Sequence, residues 1–389
     1  MNSIIVKATA LMALLAAPAA VFAADAVPPV TAKIYGYTKL DIIYATQRTG
    51  FGDLNFYLLP TVAGQTQSSL NITARETRFG LDLQGPVSDE WKTTGKIELD
   101  FYTSVFGGGN ENAAAPRIRL AYADAANANG FSFRAGQDWD AFVTVNPKTV
   151  DAAFLGGYGN LYGRRPQVRV TQVVKLGGTT ITARAAAART IGQVTDAGGT
   201  QDGGTDSAQP TVEGALFADA KLWTSKPARF SISGHTGTET NFNTVTNPNL
   251  QNYNTQSIIG GIILPVTETV SLQGTAWQGA DLRAFFGGIY QGINTTLKRS
   301  IEAQGGWAQI TANISPVVNV NLGYGTDDPN DDNLNNGDRT LDTRTFTSLF
   351  YQVNTALSFA VEYSSLSTGY KNSTTANGEI YQTSAIYKF

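Results

Sequence analysis

Arg117 and Arg119 stand two residues apart in Arg117-Ile118-Arg119-Leu120-Ala121-Tyr122; Lys39 and Asp41, and Glu98 and Asp100, repeat that spacing. In a run that alternates polar and apolar residues, this spacing puts both members on one face of a β-strand. Guanidinium groups gathered this way hold carboxylates through paired N–H donors and stay charged at any working pH. The chemistry within reach is recognition of anions rather than bond making. With no Cys and a single His, the chain lacks the means for disulfides, zinc–cysteine sites, iron–sulfur clusters or a thiolate nucleophile. His235 lies in Ser231-Ile232-Ser233-Gly234-His235, facing inward with two serines by parity. A barrel lipase or protease would need a partner to orient that imidazole beside a nucleophile, and a lone His on a polar wall reads more simply as a solvated residue. Asp331, Asn333 and Asn335 are spaced like calcium-loop ligands, but Gly337 comes one place late and Asp342 replaces the usual Glu. A solvated acidic loop is the simpler reading. No catalytic residue, metal or cofactor is expected.

The elements that must position these side chains are strands. Lys33, Tyr35, Tyr37, Lys39 and Asp41 share one face of a period-two run, and Ile34, Gly36, Thr38, Leu40, Ile42 and Tyr44 share the other. The alternation returns at Ile97-Glu98-Leu99-Asp100-Phe101 and at Val318-Asn319-Val320-Asn321-Leu322-Gly323-Tyr324. Forty glycines and 40 aromatics among 389 residues, with two methionines, also argue against a helical protein. Short turns fall at Gly85–Glu90, Asn127–Gly130, Gly177-Gly178, Ser225–Ala228, Pro265–Glu268, Ser315–Val317 and Asn354–Ala356. Between them lie longer polar, glycine-rich connections near 47–68, 103–116, 138–163, 192–211, 241–254, 279–298, 326–339 and 366–377. Long and short connections alternate strictly, which implies sixteen strands.

An even strand number, short turns at one rim and long loops at the other describe a transmembrane antiparallel β-barrel of the bacterial outer membrane. A soluble sandwich would not sort its connections in this way. Only alternate residues face lipid, and closure leaves no unpaired backbone edge in hydrocarbon. Tyr381, Thr383, Ala385, Tyr387 and Phe389 share one face of the last strand, as an interfacial aromatic girdle requires. At the other end, Lys7, the apolar stretch Ala8–Ala17 and Val21-Phe22-Ala23 read as an export signal over 1–23. Residues 24–389 then form one barrel domain. Charged residues make up 15% of the chain against about 25% in soluble proteins, and the net charge of −3 argues against nucleic acid as a partner.

Two local features resist the simple pattern. The apolar face runs through Leu70, Ile72 and Ala74 and then switches to Phe79, Leu81 and Leu83, so a β-bulge is expected around Arg75–Thr77. Ile258–Val266 is apolar on both faces and parity does not orient it.

Sixteen strands enclose a water-filled channel whose function depends on its lining. Parity turns Lys39, Arg78, Lys96, Arg117, Arg119, Arg134, Arg169, Arg184 and Arg229 inward, with a smaller acidic group of Asp41, Asp82, Glu98, Asp100, Asp219 and Glu362. The loops 192–211 and 326–338 are acidic, so the overall charge hides a basic wall and an anion-preferring channel is expected. The connection 138–163 carries Phe142, Val143, Val145, Val150, Ala152, Ala153, Phe154, Leu155 and Tyr158, more apolar than an exposed loop. It should fold inward and narrow the pore, or else pack on a neighbouring subunit.

Arg78-Phe79-Gly80-Leu81-Asp82-Leu83-Gln84-Gly85 resembles the second-strand pattern of trimeric Gram-negative porins. With Tyr35–Asp41, Gly95–Phe101, Arg117–Tyr122, Ala135-Gly136-Gln137 and Arg165-Pro166-Gln167-Val168-Arg169, the first 175 residues are similar to the DcaP-like porins. The resemblance implies a homotrimer in outer-membrane lipid and lipopolysaccharide, with an inward third loop and passage of dicarboxylates or aromatic acids. It also implies constriction residues Arg78, Arg117, Arg119 and Arg169, beside Lys39, Asp41, Glu98 and Asp100. The long helical periplasmic segment of some members is not expected, because only Ala24–Val30 precedes the first strand. The alternatives are a non-selective general diffusion porin and, less simply, a barrel enzyme.

Overall fold

The computed structural model describes residues 30–88, 90–103, 114–193, 202–243 and 247–389, without the side chains of 242–250. The expected export signal and parts of the connections 103–116, 192–211 and 241–254 lie outside the described residues. Sixteen antiparallel strands are arranged in chain order. They are β1 (Thr31–Ala45), β2 in two parts (Ser69–Thr73 and Arg78–Val87), β3 (Trp91–Asp100), β4 (Arg117–Asn127), β5 (Phe131–Trp139) and β6 (Arg164–Leu176). Next come β7 (Thr179–Ala188), β8 (Thr211–Ala220), β9 (Ala228–Asn243), β10 (Asn247–Pro265) and β11 (Val270–Ala280). The last are β12 (Glu302–Ser315), β13 (Val318–Pro329), β14 (Arg339–Gln352), β15 (Leu357–Tyr370) and β16 (Ala376–Lys388). Each pairs with its sequence neighbour, and β1 pairs with β16 from Tyr37↔Lys388 to Ala45↔Ile380, which closes the barrel. Gly36 and Phe389 exchange backbone bonds of 3.1 and 3.2 Å at the end of that seam.

The burial pattern is inside out relative to a soluble protein. Lys39 and Asp41 are 4% and 1% exposed, whereas Leu40 and Ile42 between and beside them are 45% and 41% exposed. The same inversion holds at Arg119 against Ile118 and at Ser384 against Tyr381 and Tyr387. An outer surface of Ile, Leu, Phe and Tyr around a charged interior is stable only where hydrocarbon replaces water outside. The aromatic face of β16 points outward, as the sequence pattern requires.

The phase change in β2 is a two-residue turn rather than a bulge within a continuous strand. Asp41 pairs with Thr73 above it and Tyr37 with Arg78 below it, so β2 carries one extra residue over that interval. Thr77 N–H donates to Ala74 O at 3.0 Å, and the turn sends both Arg75 and Glu76 into the lumen, where they are buried. Several long connections are shorter than expected because the strands extend further into them. β9 and β10 pair as far as Asn243↔Asn247 where a loop 241–254 was expected, and the last two loops shrink to 330–338 and 371–375.

The third loop, 140–163, folds into the barrel, and Ala141, Phe142, Ala153, Leu155 and Tyr158 have no exposed surface. Its backbone lies against the wall where the wall has no side chains. A Cβ on Gly325 would meet Tyr158 O at 2.0 Å, and one on Gly159 (φ +98°) would meet Gly306 O at 2.1 Å. Glycine is the residue that permits both approaches. Trp277 Nε1–H donates to Gly159 O at 2.7 Å and Trp307 Nε1–H to Asn160 Oδ1 at 3.0 Å, which pins the loop to β11 and β12.

The connection expected near 279–298 is also an inward loop, 281–301, which its sequence does not signal. Its Leu282, Phe285 and Ile289 are buried, and Phe286 and Ile289 adopt left-handed conformations. The cluster of Phe142, Leu161, Ile259, Trp277, Leu282 and Phe285 accounts for the two-faced apolar strand. Ile258 and Ile262 face lipid, while Ile259 is covered from inside by the two loops.

Candidate functional site: the lumen constriction

The inner faces of β1 to β4 bring the charged residues together. Lys39 Nζ donates to Glu76 from the β2 turn and to Val150 O of the third loop at 2.8 Å, and lies 3.3 Å from Asp41. Asp41 in turn accepts from Ser384 and from Gln382 Nε2 on β16. Arg117 holds Asp100 through two bonds of 2.9 and 2.7 Å. Arg119 spans both acids, with Nε on Glu98 at 2.7 Å and Nη1 on Asp100 at 2.8 Å. Arg75 makes a paired contact with Asp53 of the first loop.

These ion pairs decide where the excess charge lies. Arg117 and Arg119 are matched by Asp100 and Glu98, and Lys39 by Glu76 and Asp41. Arg78 has no carboxylate partner among the described residues; it packs over the Tyr37 ring at 5.3 Å, and its buried Nε has no hydrogen-bond partner. Arg164 is a second such residue on this wall. It packs over Trp139 at 4.8 Å, its buried Nη1 has no partner, and it stands within electrostatic reach of Arg119, Arg117 and Arg78 as well as of Asp100. An unmatched guanidinium in a confined, poorly hydrated space attracts anions more strongly than a paired one.

Arg78, Arg117, Arg119, Arg164 and Glu76 line one narrow cavity of about 20 Å³. Its other side is aromatic, with Phe56 from the first connection, Phe154 and Tyr162 from the third loop and Phe286 from the loop 281–301. Phe56 stacks on Phe286 at 5.0 Å, Phe286 on Tyr162 at 4.7 Å, and Tyr290 continues the stack 5.9 Å from Phe56. Burial pushes the Tyr162 phenol up, so it stays protonated and donates to Ala153 O at 2.6 Å. The far wall holds the loop in place: Arg344 on β14 bonds Asp151 and, at 2.7 Å, Glu362, whose other oxygen accepts from Val150 N–H at 2.7 Å.

Of the residues expected at a constriction, Arg78, Arg117 and Arg119 line this cavity, and Lys39, Asp41, Glu98 and Asp100 lie on the same inner wall in ion pairs. Arg169 does not line the narrow cavity; its Nη2 bonds Asp138 at 2.7 Å, an acid it shares with Arg134. Arg164, Arg75 and Glu76 join the lumen without having been expected there. A signal for Glu76 and Arg75 exists in the sequence, because a phase change in a strand turns extra residues inward. Arg164 is the first residue of β6, where the chain leaves the third loop and parity carries no information. His235 is buried between Phe142 and Phe285, with Ser257 Oγ 2.7 Å from Nδ1 and Thr255 Oγ1 3.0 Å from Nε2. It packs a loop to the wall. The residues spaced like calcium ligands are used elsewhere: Asn333 Oδ1 accepts from Glu302 N–H at 3.0 Å, and Asp342 is buried in the wall.

No family model and no curated protein matches the sequence. Solved structures do. The outer membrane channel DcaP of Acinetobacter baumannii superposes with a TM-score of 0.71 at 20% identity, over 92% of this chain and 97% of that one. An anion-selective porin from Comamonas acidovorans matches with a TM-score of 0.57 at 12% identity, over 93% and 100% of the two chains. The outer membrane protein OmpT of Vibrio cholerae, in its trimer form, matches with a TM-score of 0.56 at 12% identity, over 92% and 99%. The chain has the fold of the Gram-negative outer-membrane porins, a closed barrel of sixteen antiparallel strands.

Proposed function

We propose that the protein is an outer-membrane porin that passes small hydrophilic solutes by passive diffusion and prefers anions, carboxylates above all. The lipid-facing outer surface supports residence in the outer membrane, among its lipids and lipopolysaccharide, with the short turns in the periplasm. The observation that carries the anion preference is the pair Arg78 and Arg164, without carboxylate partners among the described residues, on the same narrow cavity as Arg117 and Arg119. A cavity of about 20 Å³ holds about one water. A solute passing these side chains comes within reach of their guanidinium groups, which favours groups that bond to guanidinium. The aromatic side of the constriction suits an organic anion with a flat apolar body, so dicarboxylates and aromatic acids are the preferred class. A homotrimer is the proposed assembly, supported by the likeness to a porin described as a trimer.

Block of potassium chloride current by benzoate and by succinate in planar bilayers tests this reading. Saturable block by either supports it. Current that scales with salt and is indifferent to both anions points to a general diffusion porin instead.

A further inference from the structure

The basic wall does not end at the constriction. β6 descends from Arg164 to the turn at Gly177-Gly178, and β7 climbs back. Arg169 pairs with Ala186 and Arg184 with Thr171, so Arg184 sits two residues nearer the periplasmic turn, about 7 Å lower along the wall. On the next strand Phe217 faces the same lumen, and beyond it Arg229 is the second residue of β9 from the short-turn rim. Arg184 lies over the Phe217 ring at 4.6 Å and Arg229 over the same ring at 5.1 Å.

The partners of these residues separate them. Arg134 and Arg169 are matched by Asp124 and Asp138, and Arg229 is held by both oxygens of Asp219 at 2.7 and 3.0 Å. Arg184 has no carboxylate partner among the described residues. It is only partly buried, and the charges of Arg169, Arg229, Asp138 and Arg134 act on it. The ring of Phe217 holds the guanidinium by a cation–π contact that leaves its N–H donors available. Here one unmatched guanidinium stands among matched ones, as Arg78 and Arg164 do at the constriction.

We propose that Arg184, seated on Phe217 beside Arg229, is a second anion station between the constriction and the periplasmic mouth. A carboxylate leaving Arg78 and Arg164 is received by Arg184 before it reaches the periplasm, and one entering from the periplasm meets Arg184 first. The ligand class is the carboxylate-bearing solute of the proposed channel, and the inference rests on that reading.

The test is block of chloride current by succinate added to one side at a time, in the wild type, R184Q and R184K. R184Q should weaken block from the periplasmic side by about tenfold or more, the effect of losing a charged hydrogen bond. Block from the extracellular side should change less than about twofold, because the constriction is met first. R184K, which keeps the charge, should recover a substantial part of the periplasmic block and so separate loss of charge from misfolding. Unchanged periplasmic block in R184Q overturns the second station and leaves the constriction reading standing. A wild type that succinate blocks from neither side overturns both.

Discussion

Arg344 on β14 is ion-paired to Asp151 of the third loop across 193 positions of sequence, and both side chains are essentially without exposed surface. The same guanidinium bonds Glu362 on β15, so one cation compensates two buried carboxylates. Replacing Arg344 by Met leaves both acids uncompensated, at a cost of about 3–5 kcal/mol by the usual penalty for breaking a buried pair. The loop should lift from the wall rather than the barrel unfold, because β14 and β15 remain joined through the whole ladder from Arg339↔Tyr370 to Gln352↔Ser358. Single-channel conductance of R344M should rise with the heat stability of the barrel little changed. Unchanged conductance would mean that this pair does not hold the loop in the pore.

The contact between Gly325 and the loop gives an independent handle. A side chain at 325 meets Tyr158 O, so G325V cannot seat residues 158 and 159 against the wall. The variant should conduct more than wild type and lose block by benzoate, since Phe154 and Tyr162 leave the constriction with the loop. Deleting Val150–Tyr158 should raise conductance in the same way.

Charge matching predicts opposite hierarchies for two pairs of arginines. R78Q/R164Q removes the two unmatched cations, and the reversal potential in a salt gradient should lose most of its anion preference. R117Q/R119Q instead exposes Asp100 and Glu98 to the lumen without partners, and should carry the channel past neutrality to cation preference. Equal effects of the two double variants would show that the ion pairs do not decide the field in the lumen.

Much of this arrangement is legible in the amino-acid sequence. Period-two alternation orients Lys39, Asp41, Glu98, Asp100, Arg117 and Arg119 toward the lumen, because the barrel allows each strand residue only two directions. The run of apolar residues from Phe142 to Tyr158 reveals the inward third loop, because such a segment has no stable place in water. The second inward loop leaves no such trace, since its Leu282, Phe285, Phe286 and Ile289 are interrupted by glycines and charges and follow no period. Arg164 is equally silent because it lies where strand geometry ends. The pairing of Arg169 with Asp138 follows from cross-strand register, which sets Arg169 opposite Arg134 so that both reach that acid, and no local pattern encodes it.

A pH series follows from the chemistry of the wall. Guanidinium side chains stay charged between about pH 6 and 9, so an anion preference carried by arginine should be flat over that range. A preference that vanishes on raising the pH across that range would assign it to a group other than arginine.

The most direct test of the central claim is the zero-current potential of the wild-type channel in a potassium chloride gradient at low ionic strength. At about 0.1 M salt the Debye length is about 10 Å, and at about 1 M it falls to about 3 Å. The unmatched arginines should therefore produce clear chloride selectivity at low salt that weakens without vanishing at high salt. A potential of potassium-selective sign at low salt would contradict the anion channel outright.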